Sequence, residues 1–203
     1  MIDRSGKQIW RSGNMLYPLP AVMVSCQRAE EKPNIITVAW TGTVCSSPAM
    51  VSVSIRPERY SYGIIRDTGE FVINLTTEKL IRAADWCGVK SGRDVDKFAE
   101  MKLTPQRSSV VSCPAIAQSP VNLECRTMQI VELGSHHMFI AKVEAVLVEE
   151  ALLDENGRLD LAKAHPAVYS HGEYYGLGKL LGTFGYSVRK TKKNTRGKRQ
   201  AGK

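Results

Sequence analysis

The chain has 203 residues, of which 43% are hydrophobic and 24% are charged, as is typical of a globular protein with one medium-sized core. No run of the sequence approaches the roughly 18 apolar residues that a membrane-spanning helix needs. Residues 1–13 contain neither the apolar stretch nor the small-residue cleavage site of a secretory signal. We therefore expect a cytoplasmic protein that does not contact a membrane.

The net charge of +8 is concentrated at one end of the chain. Residues 189–203 contain eight Lys or Arg and no acidic residue, whereas residues 1–188 carry twenty charges of each sign. This distribution predicts one domain over residues 1–188 and a basic, disordered tail over residues 189–203. The neutral domain argues against a nucleic-acid partner, although the tail leaves open a contact with nucleic acid or with an acidic protein.

The cysteines and histidines do not follow a recognised metal-site pattern. The cysteines are odd in number, widely spaced and without a C-x-x-C pair, which argues against a disulfide framework and a zinc site. His165, His171 and Glu173 are near one another in sequence, but their spacing matches no known metal site, and we expect the two histidines to be structural. The sequence therefore predicts no metal centre.

Antiparallel strands are the main secondary structure predicted in the first half of the chain. They are predicted over residues 18–27, 35–41, 50–56 and 71–76, and in the second and third of these segments bulky residues alternate with small or polar ones. In the second of these strands, the alternation places Trp40 on the face opposite Thr37. The segment TVCSSP, residues 43–48, is predicted to be a connection rich in hydroxyl groups between the second and third strands.

Three helices and two long strands complete the prediction. The first helix covers residues 58–69 with Ser61 as its N-cap, and the second covers residues 77–88, with Thr76 or Thr77 as its cap and Gly88 as its end. A short third helix follows a cap at Asp94. The long strands cover residues 121–133 and 137–150. Because strands outnumber helices and mostly follow one another directly, we predict a mainly β protein, an antiparallel barrel with a few helices.

The hydroxyl-rich connection suggests a site for a phosphate and a planar ring. Neither G-x-G-x-x-G nor G-x-x-x-x-G-K-[ST] occurs, so a phosphate would need other donors. Thr37, Ala39 and Thr41 would leave a gap in which a planar ring lies against the backbone. The alternative is that the hydroxyls only cover the water-facing side of a sheet. The candidate phosphate donors are Thr43, Cys45, Ser46, Ser47, Ser52, Ser54 and Arg56.

Five segments, taken in their order and spacing, resemble the flavin reductase-like family, whose members bind FMN in a split β-barrel. The segments are NIITVAW, SSPAMVSVSIRPERYS, TGEFVINL, DVDKF and GSHHMFIAKVEAV, within residues 15–187. The resemblance implies that Thr37 to Thr41 line the isoalloxazine ring and that a loop with Ser91 and Lys97 closes over the site. It implies further contacts with the ribityl chain and the phosphate from Ser46, Ser47, Ser52, Ser54, Arg56, Tyr60 and Ser61.

Four side chains keep two interpretations each. His136 lies where the family usually has a Gly-Asp-His turn, here Gly-Ser-His; it is either a surface residue or the group that meets the nicotinamide or the acceptor beside the flavin. Trp40 belongs either to the core or to the ring site. Cys45 is either a small neighbour of the flavin or a redox thiol. Lys97 either closes the site or forms an ion pair on the surface.

The resemblance implies an FMN-binding oxidoreductase that passes electrons from NADH or NADPH through FMN to a flavin, a metal complex or a redox protein. It also implies a homodimer, with residues 169–186 as a candidate interface arm. One alternative is an electron carrier similar to flavoredoxins, which a protein partner reduces without NAD(P)H oxidation. The other is a barrel without flavin that binds an acidic partner through its basic tail.

Overall fold

A computed structural model describes residues 6–189. The three α-helices of this region are α1 (Tyr60–Thr68), α2 (Ile81–Val89) and α3 (Lys97–Glu100). Its strands are β1 (Leu19–Pro20), β2 (Val22–Cys26), β3 (Asn34–Val38), β4 (Thr41–Ser46), β5 (Ala49–Ile55), β6 (Glu70–Leu75), β7 (Pro105–Gln106), β8 (Ala115–Ile116), β9 (Val121–Leu133), β10 (His136–Val148), β11 (Ala167–Ser170) and β12 (Glu173–Gly176).

The main element is a seven-stranded antiparallel sheet in the order β3-β2-β6-β9-β10-β5-β4. Its two edge strands, β3 and β4, are consecutive in the chain and separated only by Ala39 and Trp40. Two residues can bridge opposite edges of a seven-stranded sheet only if the sheet curls until those edges are neighbours. A hydrogen bond from the Ser54 amide to the Trp40 carbonyl, 2.9 Å long, spans this junction. These features confirm the predicted antiparallel barrel.

The region around Trp40 and the hydroxyl-rich segment differs from the prediction. β3 ends at Val38, and the bend at Ala39 and Trp40 interrupts the alternation that placed Trp40 opposite Thr37. Most of the segment predicted to be a connection belongs to β4, which pairs with β5 from Thr41↔Val53 to Ser46↔Ala49. The true connection is the turn at Ser47 and Pro48. An exposed edge strand with Gly and hydroxyl side chains lacks the apolar alternation that identifies a strand in sequence.

The barrel interior is filled by the bulky faces of the strands. Val51, Val53 and Ile55 of β5 are buried there, as their alternation predicts, and Phe71 and Phe139 are fully buried in the same cluster. A second cluster lies on the other side of β3, where Ile35 packs with Ala84, Cys87 and Phe98 of the helices. This second cluster holds α2 and α3 against the barrel.

The helix boundaries correct several predicted caps. Arg59 is the N-cap of α1, whereas Ser61 is buried in the first turn and accepts a hydrogen bond from Asn34 Nδ2. Gly69 ends α1 in the left-handed conformation, as predicted. Asp96, and not Asp94, is the cap of α3, and its side chain accepts from the Ala99 amide.

The second predicted helix divides into two elements. A 3₁₀ turn, Glu78–Leu80, precedes α2, and the side chain of Thr77 makes no capping hydrogen bond to this turn. At the other end, Gly88 does not stop α2, because the helix continues to Val89.

The final Gly- and Tyr-rich region contains a β-hairpin, β11–β12, which pairs with β1 in a separate three-stranded sheet. Backbone hydrogen bonds from the Ala167 amide to the Thr76 carbonyl and from the Glu78 amide to the His165 carbonyl attach the start of the hairpin to the segment between β6 and α2. Beyond it, residues 177–188 expose several large apolar side chains. The predicted basic tail lies outside the described residues except for Arg189.

No helix within residues 6–189 is both long and apolar enough to cross a membrane. In the same part of the chain, no three His, Cys, Asp or Glu side chains are grouped closely enough to hold a metal ion.

Candidate functional site

A cavity of about 340 Å³ opens beside the junction of the barrel edges, and we name it the aromatic cavity. Thr37 and Ala39 contribute small side chains, whereas α2 contributes Gly88, so that backbone is accessible along one side. Such a flat surface suits a planar ligand. The cavity is lined by Ala21, Ile36, Thr37, Val38, Ala39, Trp40, Ser54, Ile55, Arg56, Arg59, Asp85, Gly88, Val89, His136, Tyr169 and Tyr174.

Aromatic side chains from three separate parts of the chain form one wall of this cavity. Trp40 and His136 are stacked, with ring centroids 6.4 Å apart and planes at 11°. Tyr169 lies 6.4 Å from Trp40 and 5.7 Å from Tyr174, its partner across the β11–β12 hairpin. The hydroxyl of Tyr174 donates to Asp85 Oδ1 of α2 at 3.1 Å, and this bond ties the hairpin to the helix.

His136 is the first residue of β10 and faces the aromatic cavity, whereas the next residue, His137, lies on the other side of the strand and forms a hydrogen bond of 2.8 Å with Tyr62. Partial burial lowers the pKa of His136, and the nearby positive charge of Arg56 lowers it further. Both effects favour the neutral form of the imidazole. Ser135 Oγ lies 2.9 Å from its Nδ1, within hydrogen-bonding distance.

A second, smaller cavity of about 180 Å³ adjoins the first, and we name it the cationic cavity. It shares Ile36 and Arg59 with the aromatic cavity. It contains four cationic side chains and one acid, Glu58, so it suits an anionic group with several oxygens. Its lining consists of Asn34, Ile36, Glu58, Arg59, Tyr60, Ser61, Lys90, Ser91, Gly92, Arg93 and Lys97.

Lys97 is only 3% exposed, so of its two interpretations the ion pair on the surface is wrong. Its Nζ donates to the carbonyls of Ile35 and Cys87, both at 2.7 Å, and the ammonium thereby joins β3 to α2. Burial lowers the pKa of Lys97 to about 8 because the charged form loses its hydration. The third N–H of the ammonium has no partner among the described residues, and Lys97 lines the cationic cavity.

Arginine side chains complete the cationic cavity. Arg59, at the start of α1, donates from Nη2 to the carbonyl of Gly88, near the end of α2. The guanidinium of Arg93 lies 5.4 Å from the centroid of the Tyr60 ring. Each contact holds one guanidinium group in place beside the cavity. An anion in the cavity would therefore bind to cations that are already positioned.

The structure divides the predicted site residues into four groups. Thr37, Ala39, Trp40, Ser54, Arg56 and His136 line the aromatic cavity. Tyr60, Ser61, Ser91 and Lys97 line the cationic cavity. Thr41, Thr43 and Ser52 line another cavity of about 610 Å³, between residues 13–19 and the edge of the barrel. Cys45, Ser46 and Ser47 lie at the end of the β4–β5 hairpin and line neither the aromatic nor the cationic cavity.

Other lining residues escaped the sequence prediction. Arg59 and Arg93 lie close to predicted positions, and a search for cations beside the candidate phosphate donors would have found them. Asp85, Tyr169 and Tyr174 reach the aromatic cavity only through tertiary contacts, for which the local sequence has no pattern.

Comparisons with known proteins agree with this architecture. Residues 14–178 match the Flavin reductase like domain. An uncharacterized protein of Archaeoglobus fulgidus is 33% identical over 139 residues, which are 68% of this chain and 77% of the relative. Flavoredoxin of Desulfovibrio vulgaris (Miyazaki F) is 31% identical, with a TM-score of 0.84 over 90% of this chain and all of that chain.

A third comparison connects the fold with a flavin ligand. The FMN-binding protein from Thermus thermophilus, solved with bound 1-cyclohex-2-enone, is 26% identical, with a TM-score of 0.70 over 84% of this chain and 96% of that chain. The chain therefore belongs to the flavin reductase-like family of FMN-binding, split-barrel oxidoreductases.

Proposed function

We propose that the protein is an NAD(P)H-dependent flavin reductase, which takes electrons from NADH or NADPH and passes them through bound FMN to a flavin, a metal complex or a redox protein. The observation that carries this proposal is that a flat, aromatic-lined cavity and a cavity lined by four cationic side chains lie side by side and share Ile36 and Arg59. A planar ring joined to a phosphate matches this pair of environments.

The residues of the two cavities fit FMN. The small side chains of Thr37 and Ala39 leave room for the isoalloxazine ring against the edge of the barrel. Arg59, Arg93 and the free N–H of Lys97 are suitable donors for a phosphate dianion, which needs several donors and fixed positive charge. Bound FMN would supply the electron-accepting ring that the side chains themselves lack.

The aromatic wall has a separate task in this proposal. Trp40 and His136 would hold the ring of the nicotinamide or of the acceptor beside the flavin, and the neutral imidazole offers a hydrogen bond without a competing charge. Tyr169 and Tyr174, anchored through Asp85, would exclude water from the open side.

We also propose that two copies of the chain form a homodimer. Residues 177–188 expose Leu180, Leu181 and Phe184 at 81%, 84% and 105% of their full areas, and a second copy would cover such a patch. This segment follows the hairpin that carries Tyr169 and Tyr174, so it would place the interface near the aromatic cavity.

A second candidate function is that of an electron carrier that holds FMN and is reduced by a protein partner. The similarity to a flavoredoxin, with 31% identity and a TM-score of 0.84, favours this alternative. The two functions differ in whether the protein itself oxidises NADH or NADPH.

A visible absorption spectrum of the purified full chain, reconstituted with FMN, tests both functions. Under anaerobic conditions, we expect the flavin absorption to bleach after addition of NADH or NADPH, which would also identify the donor. Bound flavin that bleaches with dithionite but with neither nucleotide would support the electron carrier. Failure to bind FMN would reject both functions.

A further inference from the structure

The cavity of about 610 Å³ between residues 13–19 and the edge of the barrel differs from the other two in charge, and we name it the neutral cavity. None of the described residues that line it is charged, whereas the aromatic cavity contains Arg56, Arg59 and Asp85, and the cationic cavity contains four cations. A charged group that lost its water here would gain no partner of opposite charge, which is costly. The neutral cavity therefore favours a ligand without charge.

The neutral and aromatic cavities meet at Trp40 and Ser54, which line both of them. These two residues belong to the junction of the barrel edges, where the Ser54 amide donates to the Trp40 carbonyl at 2.9 Å. A ligand in the neutral cavity would therefore lie next to the occupant of the aromatic cavity.

One side of the neutral cavity is flat because the β4–β5 hairpin carries small side chains there. Gly42 pairs with Ser52 across the hairpin, and a Cβ atom on Gly42 would meet no atom within 4 Å. Ser52 and Ser54 alternate with Val51 and Val53, which are buried inside the barrel, so the two serines lie on its outer face. Such an open surface suits a planar ligand.

Residues 13–19 supply apolar contacts from a second side. Met15 and Leu16 line the cavity and are 59% and 83% exposed, so a ligand would remove apolar surface from water. The ring of Tyr17, which also lines the cavity, packs against Tyr169 and His171 of the β11–β12 hairpin region, with centroids 6.0 and 5.6 Å apart. These contacts attach this side of the cavity to the domain.

Hydroxyl groups provide the polar contacts of the neutral cavity. Thr41 Oγ1 donates to the Ser52 carbonyl at 2.7 Å. The hydroxyls of Thr43, Ser52 and Ser54 make no hydrogen bond with another described residue and are available to donate to a carbonyl oxygen of a ligand. A flat, uncharged ring with carbonyl oxygens matches the shape, the apolar side and the donors of this cavity, and quinones have this chemistry.

We propose that the neutral cavity binds an uncharged quinone, which is the electron acceptor of this protein. This inference rests on the proposed function, because a reduced flavin in the aromatic cavity is the electron donor. The quinone would take two electrons and two protons from the fully reduced flavin and leave as the hydroquinone, and the flavin would return to its oxidised form. The wall formed by Trp40 and His136 would then serve the nicotinamide, and the acceptor would have a separate place.

Equilibrium dialysis of the full chain with 2,3-dimethyl-1,4-naphthoquinone tests the site without any turnover. The methyl groups of this probe block the ring carbons that a thiol such as Cys45 would attack. We expect the FMN-free and the FMN-loaded chain to bind the probe with affinities within about threefold of each other, because the two sites are separate. The anionic anthraquinone-2-sulfonate should bind more weakly by about tenfold or more, because its charge would lack a partner.

Val44→Trp tests the position of the probe. Val44 lines the neutral cavity and is 50% exposed, so a bulky ring fits at this position and fills the cavity. Binding of the probe should weaken by about tenfold or more, and FMN affinity should change by less than about twofold. Ala49→Trp adds the same ring at an exposed position of the same hairpin, outside the three cavities, and should bind the probe as the parent does.

The possible results separate this inference from the function on which it rests. Competition between FMN and the probe, equal affinity for the anionic quinone, or unchanged binding by Val44→Trp would overturn the assignment of the neutral cavity. None of these results would affect FMN binding or its bleaching by NADH or NADPH. Absence of probe binding, together with a changed sedimenting mass of Val44→Trp, would overturn it in favour of a second copy of the chain. Failure of FMN to bind would overturn both proposals.

Discussion

Arg59 and Arg56 both lie beside the aromatic cavity, but they differ in how firmly they are placed. Arg59 donates to the carbonyl of Gly88 and lines both the aromatic and the cationic cavity. The side chain of Arg56 is 55% exposed and pairs with Glu58 at 3.4 Å, a type of surface contact that contributes little. A preplaced cation binds an anion more strongly, because less side-chain entropy is lost on binding.

We therefore expect Arg59→Ala to weaken FMN binding by about 1.5–3 kcal/mol, the range of a hydrogen bond to a charged group. Arg56→Ala should have a smaller effect, and Arg66→Ala, an exposed change near the end of α1, should have none. Fluorescence titration with FMN measures all three variants. A larger loss for Arg56→Ala than for Arg59→Ala would contradict this ranking.

Lys97 makes the proposed phosphate contact dependent on pH. Its pKa of about 8 means that the ammonium loses its proton as the pH rises from 7 to 9. A phosphate dianion favours the protonated form, so FMN affinity should fall by about tenfold across this interval. Titrations at several pH values measure the effect.

Riboflavin, which lacks the phosphate, is the matched control ligand and should bind with the same affinity at each pH. Lys97→Met should bind FMN weakly at every pH, and its thermal unfolding shows whether the fold survives. An FMN affinity that stays constant from pH 7 to 9 in the parent protein would remove Lys97 from the phosphate site.

His136→Ala should slow reduction of the bound flavin by NADH or NADPH by about tenfold, because the ring beside Trp40 would no longer position the nicotinamide. The amount of bound FMN should stay the same. Anaerobic stopped-flow absorbance measures the rate, and His136→Phe separates loss of the ring from loss of its nitrogen atoms. An unaltered rate in His136→Ala would make this residue a bystander.

At the scale of elements, a buried carboxylate arranges the connection between α3 and β9. Glu124 of β9 is fully buried and accepts from the amides of Ser109, Val110 and Val111. Burial opposes its ionisation, but these hydrogen bonds more than offset burial and lower its pKa. Its stabilising effect is therefore present at neutral pH and is lost in acid, as the carboxylate takes up a proton.

Glu124→Gln should lower the free energy of unfolding by about 1.5–3 kcal/mol at pH 7, since an amide group would face backbone donors that a carboxylate now satisfies. Glu132→Gln, an exposed change on the same strand, should have little effect. Urea unfolding at pH 7 compares the two variants with the parent. Equal stability of all three proteins would show that Glu124 does not organise this connection.

The sequence predicted the elements whose side chains alternate in a regular way, including β5, β9 and β10. It missed β4 because an edge strand with exposed Gly and Thr needs no apolar face. It misplaced the start of α1 because Ser61 bonds to Asn34, a residue distant in sequence, instead of capping the helix. The site residues on β3 and β5 could be predicted because the alternation that identifies these strands also shows which side chains share a face. The positions of Asp85 and Tyr174 could not be predicted, because they depend on how separate elements pack.

At the scale of the whole molecule, the unpaired apolar surface after β12 leads to a test of assembly. The protein should sediment with twice the 22.5 kDa mass of the chain. The double variant Leu181→Asp, Phe184→Asp should sediment as a monomer, because charged groups would oppose burial of the segment. Lys179→Asp, which changes the charge of the same segment but keeps its apolar residues, should stay dimeric. A parent protein of 22.5 kDa would refute the homodimer.

The two residues that join β3 to β4 make the stability of the barrel depend on whether a ligand is bound in the aromatic cavity. Ala39 and Trp40 bring the opposite edges of the sheet together and also line the aromatic cavity. An insertion here would therefore shift the strand edges and reshape the cavity together. Conversely, a flavin held at this junction would slow the separation of the two edges and protect the Ser54 amide, which bonds to Trp40, from hydrogen exchange. Bound flavin would therefore stabilise the closed barrel at the junction of β3 and β4.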